Sequence, residues 1–231
     1  MHKQDIAAVV GKGLLGAIPF VGPLAAEVIG QVIPRQRIDR LESLLRALEE
    51  KLQGEDKKTI QDRFTRPEQV DLLEDAFIQA SRALSEERTS YLAALLKNSL
   101  REKDLKHLEY KRILGLLGQL NDAQIIILKY YSLARLRTDG HEEFFEAHKE
   151  LLRRQPLTFG SPQSAHDRNA MLDSFRWQLV EIGLLQPKFK KPKKGQLPEF
   201  DEKTGMVKQQ GFGISQLGRI LLRVIDEAVD E

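Results

Sequence analysis

Between Ile6 and Ile33 the chain runs for 28 residues with only two charges, Lys12 and Glu27, and places five of its sixteen glycines at positions 11 to 30. A segment this apolar has to be covered by protein or by lipid, which limits the possible folds more than any other feature. Its longest uncharged run, Gly13 to Ala26, is 14 residues, short of the roughly 18 that a spanning helix requires, and Pro19 and Pro23 interrupt it. Asp5 and the internal Gly-Pro pattern do not fit a cleaved secretory signal. Pro19-Phe20-Val21-Gly22-Pro23 reads as a turn, so the expectation is an apolar helical hairpin over residues 1–34.

Two settings suit that hairpin. It can be the buried centre of a bundle, where glycine and alanine let helices approach closely, or a conditionally membrane-active segment. In the second case Leu14, Leu15, Ile18, Phe20, Val21 and Leu24 form the patch that meets lipid or a partner. Each arm extends only about 15–20 Å against a hydrocarbon core of roughly 30 Å, so it would lie in the interface or insert as part of an oligomer. The settings are compatible if a trigger releases a stored hairpin.

Beyond Pro34 the grammar changes. Ile38, Leu41, Leu45, Leu48 and Leu52 recur at helical spacing with charges between them. A capping box at Thr65 and Glu68 opens a second seam of Val70, Leu73, Phe77, Ala80 and Leu84. Tyr91, Leu92, Leu95 and Leu96 mark a further helix, and Leu105, Leu108, Leu116, Leu117 and Leu120 another. Residues 35–120 thus read as a helical bundle.

In residues 121–231 Asn121 or Asp122 can cap a helix through Leu136, a second helix runs from His141 to Arg154, and a third from Ala165 toward Leu185, with Gly183 suited to a left-handed stop. Alternating residues at 187–191 and 206–212 predict a long two-stranded hairpin, and Ser215 caps a last helix burying Leu217, Ile220, Leu221 and Ile225. Trp177, the only tryptophan, is expected to fill the core of this unit with its indole N–H bonded to a partner. The fold class is therefore mainly α: an N-terminal helical bundle with an apolar hairpin, followed by a winged-helix-like unit with one β-hairpin.

The glycine-rich apolar start, the helical middle, the stretch Phe175-Arg176-Trp177-Gln178-Leu179-Val180-Glu181-Ile182-Gly183-Leu184 and the run Ile214-Ser215-Gln216-Leu217-Gly218-Arg219 together resemble bacterial abortive-infection-associated proteins of the Abi-alpha type. That resemblance implies phage defence or host-growth arrest, and it brings no catalytic residues with it.

For chemistry the sequence offers little. The chain has no cysteine, which excludes disulfides, zinc knuckles, iron–sulfur clusters and a thiol nucleophile, and fits a reducing cytosol. Gly11-Lys12-Gly13 lacks the strand and spacing of a phosphate loop. His141 and His148 stand two helical turns apart, about 10 Å, too far to share one metal ion unaided, so a solvated acidic helix face is the plainer reading. No cofactor and no metal are expected. The formal charge is +2, yet Lys188, Lys190, Lys191, Lys193 and Lys194 crowd into one loop, without which the chain would be net acidic. That loop can serve solubility, press on nucleic-acid phosphates or attract anionic lipid. The third helix carries mixed charges, Asp167, Arg168, Asp173, Arg176 and Glu181, a poor surround for base readout. The reading is a non-enzymatic effector or interaction protein that binds a protein partner or itself. It would be cytoplasmic and move to the inner membrane on activation; the alternative is a winged-helix DNA-binding regulator.

Overall fold

The leucine spacing that starts at Ile38 forms a helix in the computed structural model, which describes residues 38–64, 66–101, 106–136, 140–190, 192, 195, 197–202 and 205–225. The apolar hairpin with Leu14, Leu15, Ile18, Phe20, Val21 and Leu24, and also Gly11-Lys12-Gly13, Thr65, Leu105, Lys191, Lys193 and Lys194, lie outside the described residues. The protein is mainly helical, and the described residues hold ten helices and one antiparallel β-hairpin. Among them no helix is long and apolar enough to cross a membrane. The chain divides into two compact units, the first ending at Gln119 and taking in Val224 and Ile225, the second comprising Leu120–Arg223.

The first unit is a helical bundle of α1 (Ile38–Lys51), α2 (Lys57–Phe64), α3 (Pro67–Ala80), α4 (Glu86–Arg101) and α5 (His107–Gln119). Leu41, Leu44, Leu45 and Leu48 line the buried face of α1, one leucine more than a strict 3-4 seam requires, because a globular core wants a wider stripe than a coiled coil. Asp56 caps α2: its Oδ2 accepts from the Thr59 amide at 2.8 Å and the Thr59 hydroxyl at 2.7 Å, and these bonds hold its carboxyl below the usual range. Within this core Gln69 and Ser99 satisfy each other, the Gln69 amide donating to the Ser99 carbonyl at 3.2 Å and the Ser99 hydroxyl lying 3.0 Å from Gln69 Oε1.

The helix expected from Thr65 starts at Pro67, after Arg66, and no side chain caps it; Pro at the first position supplies the helical φ and gives up only an amide that is unpaired anyway. Leu84 is not part of its seam, for α3 stops at Ala80 and Leu84 stands 89% exposed in the turn before α4. Leu108, in the first turn of α5, is also exposed, while Tyr110, Ile113, Leu114, Leu116 and Leu117 take the core face.

The second unit runs α6 (Asp122–Leu136), α7 (Gly140–Ala147), α8 (Lys149–Leu152), α9 (Gln163–Glu181), β1 (Leu185–Phe189), β2 (Gln209–Ile214) and α10 (Gln216–Val224). Asn121 and Gln124 form a reciprocal cap on α6: the Gln124 amide donates to Asn121 Oδ1 at 2.9 Å and the Asn121 amide to Gln124 Oε1 at 3.0 Å. The helix expected over 141–154 is broken at His148, which separates α7 from α8. Gly183 ends α9 in the left-handed conformation, φ +83°, and the Leu184 amide reaches back to the Leu179 carbonyl at 2.8 Å. Ser215 caps α10 by accepting from the Gly218 amide at 3.0 Å while its hydroxyl donates to the Gly183 carbonyl at 2.6 Å. Of the four residues assigned to the core of α10, Leu221 and Ile225 are buried and Leu217 and Ile220 half-buried; Leu222 is buried instead.

The hairpin pairs Leu185 with Ile214, Pro187 with Phe212 and Lys188 with Gly211, and a bulge follows Lys188. The Ser215 amide donates to the Leu184 carbonyl at 3.0 Å, so alternation along the ladder leaves Pro187 at a position where its missing N–H faces away from β2. A proline there costs no ladder bond and blunts the outer edge of β1 against pairing with another chain.

Gly218 is where this unit is least forgiving. A β-carbon on it would lie 2.4 Å from the Leu184 carbonyl oxygen and 2.9 Å from Ile214. Gly218→Ala is expected to destabilise the protein by about 1–3 kcal/mol through overpacking against fixed backbone. Gly213→Ala meets only the movable end of Lys188 and should shift a urea midpoint far less. Equal shifts for the two would contradict the packing described.

Candidate interaction surface of the hairpin unit

The buried stripe of α9 is Ala165, Asn169, Leu172 and Leu179. Trp177 lies about 140° around the helix from Leu172 at 100° per residue. The tryptophan expected in the core is accordingly 48% exposed, its ring edge-on to Phe212 at 5.5 Å between centroids. Phe212 in turn meets Tyr131 at 6.2 Å, Tyr131 meets Tyr130 at 5.3 Å, and Tyr130 meets His141 at 4.9 Å and Phe145 at 5.9 Å. An aromatic row therefore crosses α9, β2, α6 and α7, held in edge-to-face and tilted contacts that suit ring quadrupoles. Its outer end is the Trp177 indole.

On the same side of α9, Asp167, Ala170, Met171, Ser174, Trp177 and Glu181 are exposed. The helix's two arginines are turned to structural use. Arg168 pairs with Glu150 at 3.0 Å, while Arg176 donates to the Leu152 carbonyl at 3.2 Å and sits 3.7 Å from Asp173. Asp173 also takes Arg154 at 2.9 Å. The exposed side of α9 thus offers apolar and acidic groups and no unpaired arginine.

The segment leading into α9 is fixed by Asn169, a buried side chain that clasps the Gln155 backbone from both sides: its amide donates to the Gln155 carbonyl at 2.8 Å and its oxygen accepts from the Gln155 amide at 2.9 Å. Gln124, equally buried, donates to Gln178 at 2.9 Å and so links α6 to the helix position beside Trp177. Sequence reasoning missed both residues. Asn169 falls on the core stripe of α9, which the burial of Ala165, Leu172 and Leu179 reveals and the sequence pattern does not.

Of the lysine run, Lys188 and Lys190 are described. Both are exposed; the stem of Lys188 lies across Gly213, and Lys190 pairs with Glu199 at 2.5 Å, holding the Glu199 carboxyl below its usual range. His141 and His148 do not share a helix face: His141 stacks on Tyr130, and His148 lies 4.5 Å from Phe144 across the break in the helix. Among the described residues no cluster of His, Asp and Glu is arranged to hold a metal ion.

Compared with known protein families, curated proteins and solved structures, the chain matches none.

Burial raises the pKa of the Tyr131 phenol, with Arg176 pulling the other way. Folding favours the neutral phenol, so the stability this group contributes is intact below pH 10 and is lost as pH climbs through the raised folded value. The urea midpoint should fall across that alkaline range, and Tyr131→Phe should flatten the fall. An unchanged alkaline limb in the variant would show that Tyr131 is not the group involved.

Proposed function

We propose that this protein is a non-enzymatic effector that acts by contact. Its second unit has the order of a winged helix, helix (α6), helix (α7 and α8), helix (α9), hairpin and helix (α10), and uses that scaffold to bind a protein partner rather than to read DNA. The carrying observation is Trp177, a half-exposed tryptophan braced by Phe212 on a helix whose arginines are committed to ion pairs and backbone. Tryptophan at the centre of an apolar patch is a frequent binding hot spot. A recognition helix for duplex DNA needs cations that anchor phosphates around the base edges, and the exposed side of α9 bears Asp167 and Glu181 instead. A shared element order does not carry DNA binding with it.

The apolar hairpin supplies the effector end of this reading. Stored within the protein, it is released when a partner or trigger favours the open form, and it then places Leu14, Leu15, Ile18, Phe20, Val21 and Leu24 in a bilayer, moving a cytoplasmic protein to the inner membrane. Its support is compositional, together with the resemblance to abortive-infection proteins, and the outcome it implies is growth arrest in a defence response.

Induced expression in bacteria tests the proposal. The wild type should arrest growth and depolarise cells, Leu15→Asp with Phe20→Asp should not, and Trp177→Ala should lose the arrest while remaining folded, at a stability cost of about 1–3 kcal/mol for the half-buried ring and its contact with Phe212. Circular dichroism confirms folding of each variant. Full activity of folded Trp177→Ala would overturn the partner-binding reading. Salt-sensitive duplex binding that vanishes when Lys188, Lys190, Lys191, Lys193 and Lys194 become Gln would favour the DNA-binding regulator.

A further inference from the structure

The arm beyond the β1–β2 ladder has an unusual surface. From Lys188 to Lys208 the sequence holds seven lysines against three acids, Glu199, Asp201 and Glu202. Between the charges stand large apolar side chains turned to solvent: Leu197 is 87% exposed, Met206 71%, Phe200 56% and Phe189 50%. The backbone that carries them is ordered by its own bonds. Phe200 bridges Val207, the Lys208 amide donates to the Glu199 carbonyl at 2.7 Å, and the Asp201 amide donates to the Met206 carbonyl at 2.8 Å. The Lys190–Glu199 ion pair joins this small turn to the end of β1.

Lysines alone would suit any polyanion. The four apolar groups discriminate, because phosphate contacts along a duplex use cations and hydrogen-bond donors, and stacking on single-stranded bases uses aromatic rings but not leucine or methionine. A bilayer interface uses all of them: lysines meet anionic headgroups at about 1 kcal/mol each, and leucine, methionine and phenylalanine enter the boundary with the acyl chains.

We infer that the hairpin arm is an anionic-lipid contact, which seats the second unit on a negatively charged membrane surface through exposed Leu197, Phe200 and Met206 together with exposed Lys188 and Lys208. The contact is peripheral and separate from any action of the N-terminal hairpin.

Flotation of the full chain with vesicles tests this, using phosphatidylglycerol mixed into phosphatidylcholine against phosphatidylcholine alone. The wild type should float with the anionic vesicles only, and less as salt is raised. Leu197→Ser with Met206→Ser should weaken binding about tenfold or more, since each removes an apolar side chain from the interface. Both positions are exposed, so folding should be unaffected, and circular dichroism checks it. Lys188→Gln with Lys208→Gln should weaken binding severalfold at low salt. Leu15→Asp with Phe20→Asp should leave flotation intact, so failure of the hairpin reading and failure of this one are distinguishable. Wild-type protein that does not float, or floats equally after Leu197→Ser with Met206→Ser, overturns the inference, as does binding to duplex DNA without binding to vesicles.

Discussion

The second unit depends on one close approach of backbone to backbone. Leu184 offers its carbonyl to the Ser215 amide at 3.0 Å, and Gly218 stands so near that oxygen that no side chain fits. Gly183 makes the approach possible by turning the chain through a left-handed step at the end of α9. From that bond the ladder alternation follows, and with it the pairing of Pro187 with Phe212 and the choice of face for Phe212. Phe212 then braces Trp177 from one side and meets Tyr131 on the other. The exposed indole is thus a consequence of how the helix ends and the strand begins.

Much of this was legible from residue types whose conformational demands are local. Gly183 after an apolar helix end, Ser215 before an apolar helix, and Asn121 ahead of Ala123 and Gln124 each announce a cap, and each is one. Alternating residues made the hairpin legible, though its strands lie at Leu185–Phe189 and Gln209–Ile214 instead of 187–191 and 206–212, and regular spacing made the leucine stripe of α1 legible too. Trp177 was misread because composition says that large aromatic residues are usually buried, while the angle around α9 says otherwise. That angle is fixed only once Ala165, Asn169, Leu172 and Leu179 are known to be the inner stripe. With Met171, Phe175, Trp177 and Val180 off that stripe, the helix pattern is too weak to locate it from sequence. The break at His148 was hidden too, since nothing between Phe145 and Leu151 is a helix breaker.

The cations of the second unit are used in two ways. Arg154, Arg168 and Arg176 are committed within the unit, to Asp173, Glu150 and the Leu152 carbonyl. In the hairpin arm Lys188 and Lys208 are exposed, as are Leu197, Phe200 and Met206, while Lys190 pairs with Glu199. A similar economy appears in the first unit, where Lys111 lies 2.9 Å from Asp71 and 2.5 Å from Asp75, with His107 3.1 Å from Asp71. Surface pairs of this kind contribute little stability each; their effect is to remove charge from competition for partners.

The only tryptophan of the chain is held at the surface by its phenylalanine neighbour. Its fluorescence reports that directly, when excited at the red edge where tyrosine does not absorb. The folded protein should show long-wavelength emission that acrylamide quenches readily, with Phe212→Leu increasing the quenching further as the brace is lost. Short-wavelength emission that acrylamide cannot reach in the native state, moving to long wavelength only on unfolding, would put Trp177 in the core and contradict it.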